Sequence, residues 1–266
     1  MDPLAGYIAA WKHSAADVED LVAELDDAEW ARPTDCPGWS VRDVVAHLAA
    51  IESELAGAPG PDVDGEVIGT RDVTTAYTRA GIEERRDRTP AELVSEFVEA
   101  VRTRMTSLDA DPPQDPDGSP PVTPGGIGWD WQTLLRNRVV DLWVHEQDIR
   151  RAVERPGGMQ SPGAQVVAAT FTAALPFVIG KKASAVPGSS VVVDLDGRQM
   201  GYAVGPDGRC RGVEPIPHDP TVRLELGVET FTILGAGRRD PLTTDAQVSG
   251  DRDLGERILH GLAVTP

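Results

Sequence analysis

The chain has 266 residues, a formal net charge of −18 and a pI near 4.6. That charge sets long-range repulsion against nucleic acid and anionic membranes, and leaves small molecules or proteins as the expected partners. The 40% hydrophobic content is enough for a sizeable core. Cys36 and Cys210 form no CxxC pair, no charged-then-apolar leader opens the sequence, and no apolar run of roughly 18 residues marks a membrane span. The expectation is a reduced, cytoplasmic protein.

Ile8, Trp11, Val18, Leu21, Val22 and Leu25 recur near the helical period, which predicts a first amphipathic helix within residues 5–29. The prolines and glycine of "WARPTDCPGW" break it. Ser40, with Asp43 three residues on, signals the start of a second helix from Val41 to about Leu55, with His47 in its middle. A Gly/Pro/Asp-rich loop over residues 57–65 leads to a third helix near residues 71–86. Thr89 as N-cap, Pro90 at the first helical position and Glu92 in capping-box position start a fourth, running to about Leu108. The stretch "DADPPQDPDGSPPVTPGG" reads as a long loop, either disordered or functional as a lid. A last long helix spans roughly Trp129 to Val153, and "ERPGG" ends it.

Beyond Gly158 the pattern changes. "SPGAQVVAATFTAALPFVIG" reads as a helix capped by Ser161, "SSVVVDLDGRQMGYAVGPDGRC" as strands joined by DG and PDG turns, and the remainder as strand–helix, strand–helix. The expected fold class is α+β: a four-helix bundle over residues 1–157 followed by a smaller α/β domain over 158–266. No repeat of 20–50 residues is visible.

Asp141 and His145 lie four apart on the last bundle helix, about 40° apart around its axis. Alone, such a pair is common on solvated surfaces. His47 is flanked by Val44, Val45, Leu48 and Ile51, which puts it at the buried stripe of its helix, either as a hydrogen-bonded core histidine or as a ligand reaching inward. If the two helices are neighbours, His47, Asp141 and His145 converge into a set of two imidazoles and one carboxylate. That set suits zinc or another divalent metal and leaves coordination positions for water or substrate. Cys36 reads as a packing residue, Trp39 as a hydrophobic staple before the second helix, and Trp129, Trp131 and Trp143 as core or pocket lining.

"TDCPGWSVRDVVAHLAA", followed some hundred residues later by "RVVDLWVHEQDIRRAVERPG", resembles the mycothiol-dependent maleylpyruvate isomerase family, a branch of the DinB-like four-helix metalloproteins. The ending "VSGDRDLGERILHGLAVTP" is similar to the sterol-carrier-like domain that family carries. The resemblance implies a divalent metal, zinc foremost, held by His47, Asp141 and His145, with mycothiol as cosubstrate. The sequence departs from the family in one ligand: Asp141 stands where the family has glutamate, one methylene longer, so that either the helices sit closer or a water intervenes. Glu146 and Asp148 are further donors, the latter suited to orienting the His145 imidazole.

The chemistry implied is isomerisation or S-transfer on a small electrophile, with the metal holding the thiol as thiolate. The family also uses an arginine to hold an acidic substrate. Arg79 is the candidate, with Arg85 and Arg86 beside it, against the plainer reading that these pair on the surface with Glu83 and Glu84. Two other functions stay open: a metal-dependent hydrolase that needs no thiol, and a non-catalytic module that binds or sequesters a small molecule. Partners are a small-molecule substrate and mycothiol, without nucleic acid or membrane, in a monomer or homodimer.

Overall fold

The computed structural model of the chain describes residues 3–63 and 71–265, the side chains of 71–75 excepted. It divides into two compact units, residues 1–166 and 167–266, the first helical and the second built on a small mixed sheet. The end of the predicted 57–65 loop lies outside the described residues.

In the first unit, helix α1 (Pro3–Ala23) buries Leu4, Trp11, Val18, Leu21 and Val22 along one face. The predicted first helix, within residues 5–29, is in fact two. Asp26 accepts hydrogen bonds from the backbone of Ala28 and Glu29, while the Glu29 carboxylate accepts from the Asp26 amide. This reciprocal cap starts a separate short helix, α2 (Asp27–Trp30), in place of the last turn of α1.

Helix α3 (Val41–Leu55) is capped by the same device, Ser40 accepting from the Asp43 amide and Asp43 accepting from that of Ser40. Its central residues from Val44 to Glu52 are all buried, so α3 is the core helix of the unit. Helix α4 (Arg71–Glu83) follows, then α5 (Pro90–Ala110), which opens on the expected Thr89–Pro90–Glu92 cap. Helix α6 (Trp131–Ala152) is capped by Asp130, which accepts from the Thr133 amide.

Helices α1 and α3 each pack against both α5 and α6. The four therefore form a ring in which α3 and α6 are neighbours, and α4 adds to the outside of α3. The long Pro/Asp/Gly-rich loop is ordered. The Trp131 and Gln132 amides donate to the carbonyls of Gly118 and Pro116, and the turn at Pro124–Gly126 is tied to α3 by the Gly125 amide donating to Glu54 at 3.1 Å. Tyr77 donates to the other oxygen of Glu54.

Helix α7 (Pro162–Phe177) spans the division between the units. Pro176 denies its last turn a backbone donor, and the chain continues as a π-helical turn over Val178–Lys182. The second unit holds a five-stranded sheet in the order β3–β2–β1–β4–β5. Strands β1 (Ser190–Leu195) and β2 (Arg198–Val204) form an antiparallel hairpin through the Asp196–Gly197 turn, where both residues have positive φ. Strand β3 (Cys210–Gly212) continues antiparallel from β2; β4 (Val222–Leu226) runs parallel to β1, and β5 (Gln247–Gly250) antiparallel to β4. Helices α8 (Val228–Gly235) and α9 (Arg252–Gly261) complete the unit.

One expectation needs correction. The helical stretch Pro162–Lys182 is apolar and long enough to cross a membrane by length and composition. Its apolarity also has a use inside the fold: Val167, Phe171, Leu175, Val178 and Ile179 are each at most 2% exposed.

Close approach of α7 and α8 sets one steric constraint. A Cβ at Gly235 would lie 2.3 Å from Cδ2 of Phe171, whose ring packs edge-on to Phe231. Gly235→Ala must displace a ring that is 2% exposed, and the expected loss is about 1–3 kcal/mol, read from chemical denaturation. An unchanged midpoint would show that the ring can yield.

Candidate metal centre

The α3–α6 seam brings together the three residues singled out above. His47 lies mid-way along α3; Asp141 and His145 lie one helical turn apart on α6. The Nε2 atom of His47 is 3.3 Å from Oδ1 of Asp141, and Nε2 of His145 is 3.6 Å from the same oxygen. The imidazole centroids are 5.0 Å apart, and one ligand atom from each of the three residues falls within 4.8 Å of the others. Bonds of ~2 Å in a tetrahedral shell put neighbouring donors about 3.3 Å apart, so these separations fit a shared cation. A single oxygen of Asp141, Oδ1, faces both imidazoles.

The surroundings fix how these groups present themselves. Nδ1 of His145 is 3.1 Å from Oδ2 of Asp148, which is fully buried. A proton held on Nδ1 by that carboxylate leaves the Nε2 lone pair directed at the site. Arg151 in turn donates to the other Asp148 oxygen and to Asp35, at 2.8 and 2.7 Å. His47 differs: its Nδ1 is buried and has no hydrogen-bond partner among the described residues. Trp39 covers both rings, stacked on His145 at 5.6 Å and 15° and tilted over His47 at 5.1 Å. Sequence reasoning made Trp39 a helix staple; its position just before Ser40 also lays the indole across the imidazoles.

Behind Asp141 lies a buried chain of charges. Arg138 donates through Nη1 to Oδ2 of Asp141 at 2.8 Å, and through Nε and Nη2 to Oε1 of Glu52 at 3.1 and 2.8 Å. The other Glu52 oxygen accepts from Arg104 at 2.6 Å, and Trp11 Nε1 donates to Oε1 at 3.1 Å. The Arg104 guanidinium sits 4.5 Å above the Trp11 ring. Two cations and two anions alternate, which lets Glu52, Arg104 and Arg138 be held away from water, while Asp141 at the end of the series keeps partial exposure.

These contacts set the protonation states. Burial holds the His47 imidazole below its ordinary value of 6.5, with Asp141 opposing and His145 and Arg138 adding to the effect. A neutral imidazole is the ligand form. Burial alone would raise Asp141, but Arg138 and then the two imidazoles outweigh it and keep the carboxyl well below 3.8. Glu52 follows the same pattern: burial pushes up, Arg104 and Arg138 pull further down.

The remaining candidates are distributed as follows. Arg79 is exposed on α4, and among the described residues the ion pairs of His47, Asp141 and His145 are made with one another, Arg138 and Asp148. Arg85 is clasped by Glu96 and Arg86 by Glu83. Glu146 points away from the centre to Arg150 at 2.6 Å, and burial raises its carboxyl to about 6. Trp143 is core, donating to the Gly158 carbonyl. Cys36 is partly buried with its sulfur within 4.8 Å of ligand atoms of His145 and Asp148. Glu52 and Arg138, which the sequence reading passed over, carried a readable signal: an ionisable residue in an otherwise apolar α3 stripe, and a cation three residues ahead of the acid.

Residues 11–150 match the family model of the mycothiol maleylpyruvate isomerase N-terminal domain, and residues 165–257 match the MDMPI C-terminal domain. A crystal structure of the mycothiol-dependent maleylpyruvate isomerase is similar with a TM-score of 0.54 at 15% identity, covering 92% of each chain. That of a histidine-to-alanine mutant of the mycothiol-dependent maleylpyruvate isomerase gives 0.51 at 15% identity, covering 89% of this chain and 90% of that one. At such identity the likeness establishes the fold. No curated protein matches the chain in sequence.

The depressed His47 and Asp141 values make the metal-free fold sensitive to acid. The unfolded chain takes up each proton first, so His47's contribution is whole above about 6.5 and declines as pH falls below it. Asp141's contribution is present above 3.8 and is lost at still lower pH. Urea titrations of chelator-treated protein across pH should show two successive declines; His47→Gln should flatten the upper one and, by removing one of the groups that hold Asp141 low, lessen the lower one without abolishing it, since Arg138 remains. A single decline at the lower pH in both proteins would contradict this assignment.

Proposed function

The chain belongs to the mycothiol maleylpyruvate isomerase family, and on that premise we propose a divalent-metal enzyme, zinc in our reading, that uses mycothiol as cosubstrate. It isomerises a small electrophilic substrate or transfers the thiol to it, in the cytoplasm. The observation that carries this reading is the convergence of two imidazole nitrogens and one carboxylate oxygen within 4.8 Å at the α3–α6 seam.

His47 and His145 would hold the metal through Nε2, and Asp141 through Oδ1. A divalent cation there supplies Lewis acidity, lowering the pKa of a bound thiol so that it persists as the nucleophilic thiolate. The protein's own part is arrangement. Three protein donors leave positions open for exogenous ligands, the pattern of catalytic rather than structural sites. Asp148 holds the proton of His145 on the far nitrogen, and the Trp39 indole limits water on one side of the imidazoles. For an acidic substrate, Arg85 and Arg86 are engaged by carboxylates, whereas Arg79 is exposed and keeps its assignment as the substrate-orienting cation.

Protein purified without a histidine tag should contain stoichiometric metal and convert maleylpyruvate only when mycothiol is supplied. His47→Ala and His145→Ala should each lower metal affinity by more than the ~10–100-fold that outer-shell partners cost, and activity should fall with it. Turnover independent of thiol would favour the hydrolase, and metal binding unaffected by both substitutions would remove the centre. Arg79→Gln should raise KM several-fold (on the order of one lost surface ion pair) without changing metal content; an unaltered KM would dismiss Arg79.

A further inference from the structure

We propose that Arg138, clamped by Glu52, is a positioning residue that turns Asp141 so that a single carboxylate oxygen faces the metal. The inference rests on the metal-centre reading above and concerns how this chain, with aspartate as its acid, builds that centre.

The terminal torsion of an aspartate is broad and roughly two-fold, so backbone and rotamer alone do not decide which oxygen points where. Here the two oxygens have separate occupations. Oδ1 faces Nε2 of His47 at 3.3 Å and Nε2 of His145 at 3.6 Å, while Oδ2 accepts from Arg138 Nη1 at 2.8 Å. The arginine bond is the shortest contact that the side chain makes with these three groups, and it withdraws Oδ2 from the imidazole side.

Arg138 can impose this because it is itself immobilised. It is 3% exposed, and two of its nitrogens are bound by Glu52, which is 0% exposed. Glu52 is fixed in turn by Arg104 through its other oxygen and by Trp11, which donates to the same oxygen as Arg138. Glu52 belongs to α3, the helix of His47, and Arg138 to α6, the helix of Asp141 and His145. One guanidinium thus joins the two ligand-bearing helices and orients a ligand at the same time. A planar fork can serve two carboxylates with different nitrogens in fixed directions, which the point charge of lysine cannot.

Two physical effects of Arg138 on a bound cation have opposite signs, and this makes the inference testable. Coulomb repulsion disfavours a divalent ion beside a guanidinium, so if charge were its whole contribution, neutralising it would tighten metal binding. If orientation of Asp141 dominates, neutralising it weakens binding.

The experiment uses full-length protein stripped of metal. Zn2+ affinity is measured by competition with a chromophoric chelator, and coordination by the visible absorption of the Co2+-loaded protein, for wild type, Arg138→Gln and Arg138→Lys. The expected result is ~10–100-fold weaker Zn2+ binding in both variants, with an altered Co2+ spectrum. A folded Arg138→Gln that binds Zn2+ as tightly as wild type or more tightly, or an Arg138→Lys with wild-type affinity and spectrum, overturns the proposal. Should Arg138→Gln fail to fold, Arg138→Lys decides alone, since it keeps the charge opposite Glu52. Wild-type protein that takes up neither ion removes the metal reading itself; wild-type uptake with unchanged variants removes only the positioning role.

Discussion

A carboxylate taken out of water must find positive charge or give up its own, and the first unit of this protein is organised around that constraint. Glu52 lies at the centre of the apolar ring of α1, α3, α5 and α6 with no solvent exposure. Its ionised state is sustained by Arg104 and Arg138, which lie on two different helices. Breaking such a buried arrangement on one side is costly, on the order of 3–5 kcal/mol, so the helices carrying these charges are held in register as well as in contact. Asp141 extends the series toward the two imidazoles, which makes the geometry of the candidate centre a continuation of the charge balance of the core.

How much of this was legible beforehand can be argued residue by residue. Capping signals at Ser40, Thr89 and Asp43 are local, and local chemistry decides helix starts, so α3 and α5 could be read directly. The i,i+4 spacing of Asp141 and His145 and the apolar flanks of His47 gave faces, and faces were enough to suggest a meeting. The break between α1 and α2 was missed because apolar spacing carried through it, while the Asp26–Glu29 cap that stops it was not weighed. Glu52 and Arg138 showed their local signals, an acid in an apolar stripe and a cation three residues ahead of Asp141, but the bond that joins them crosses 86 residues of chain, and no periodicity contains it.

The relation to solved structures divides in a similar way. Backbones related at 15% identity share an architecture, but the activity resides in a few side chains set on it. In this chain the candidate side chains meet at a seam where His47 Nε2 and Asp141 Oδ1 are 3.3 Å apart. Among the groups around the centre is Trp39, whose ring lies against both imidazoles.

The indole of Trp39, 5.1 Å from one imidazole ring and 5.6 Å from the other, has an optical consequence. A paramagnetic cation held by these rings would quench the excited indole by energy or electron transfer. The Trp39 share of an emission to which six tryptophans contribute would then report loading with cobalt, nickel or copper without any added dye.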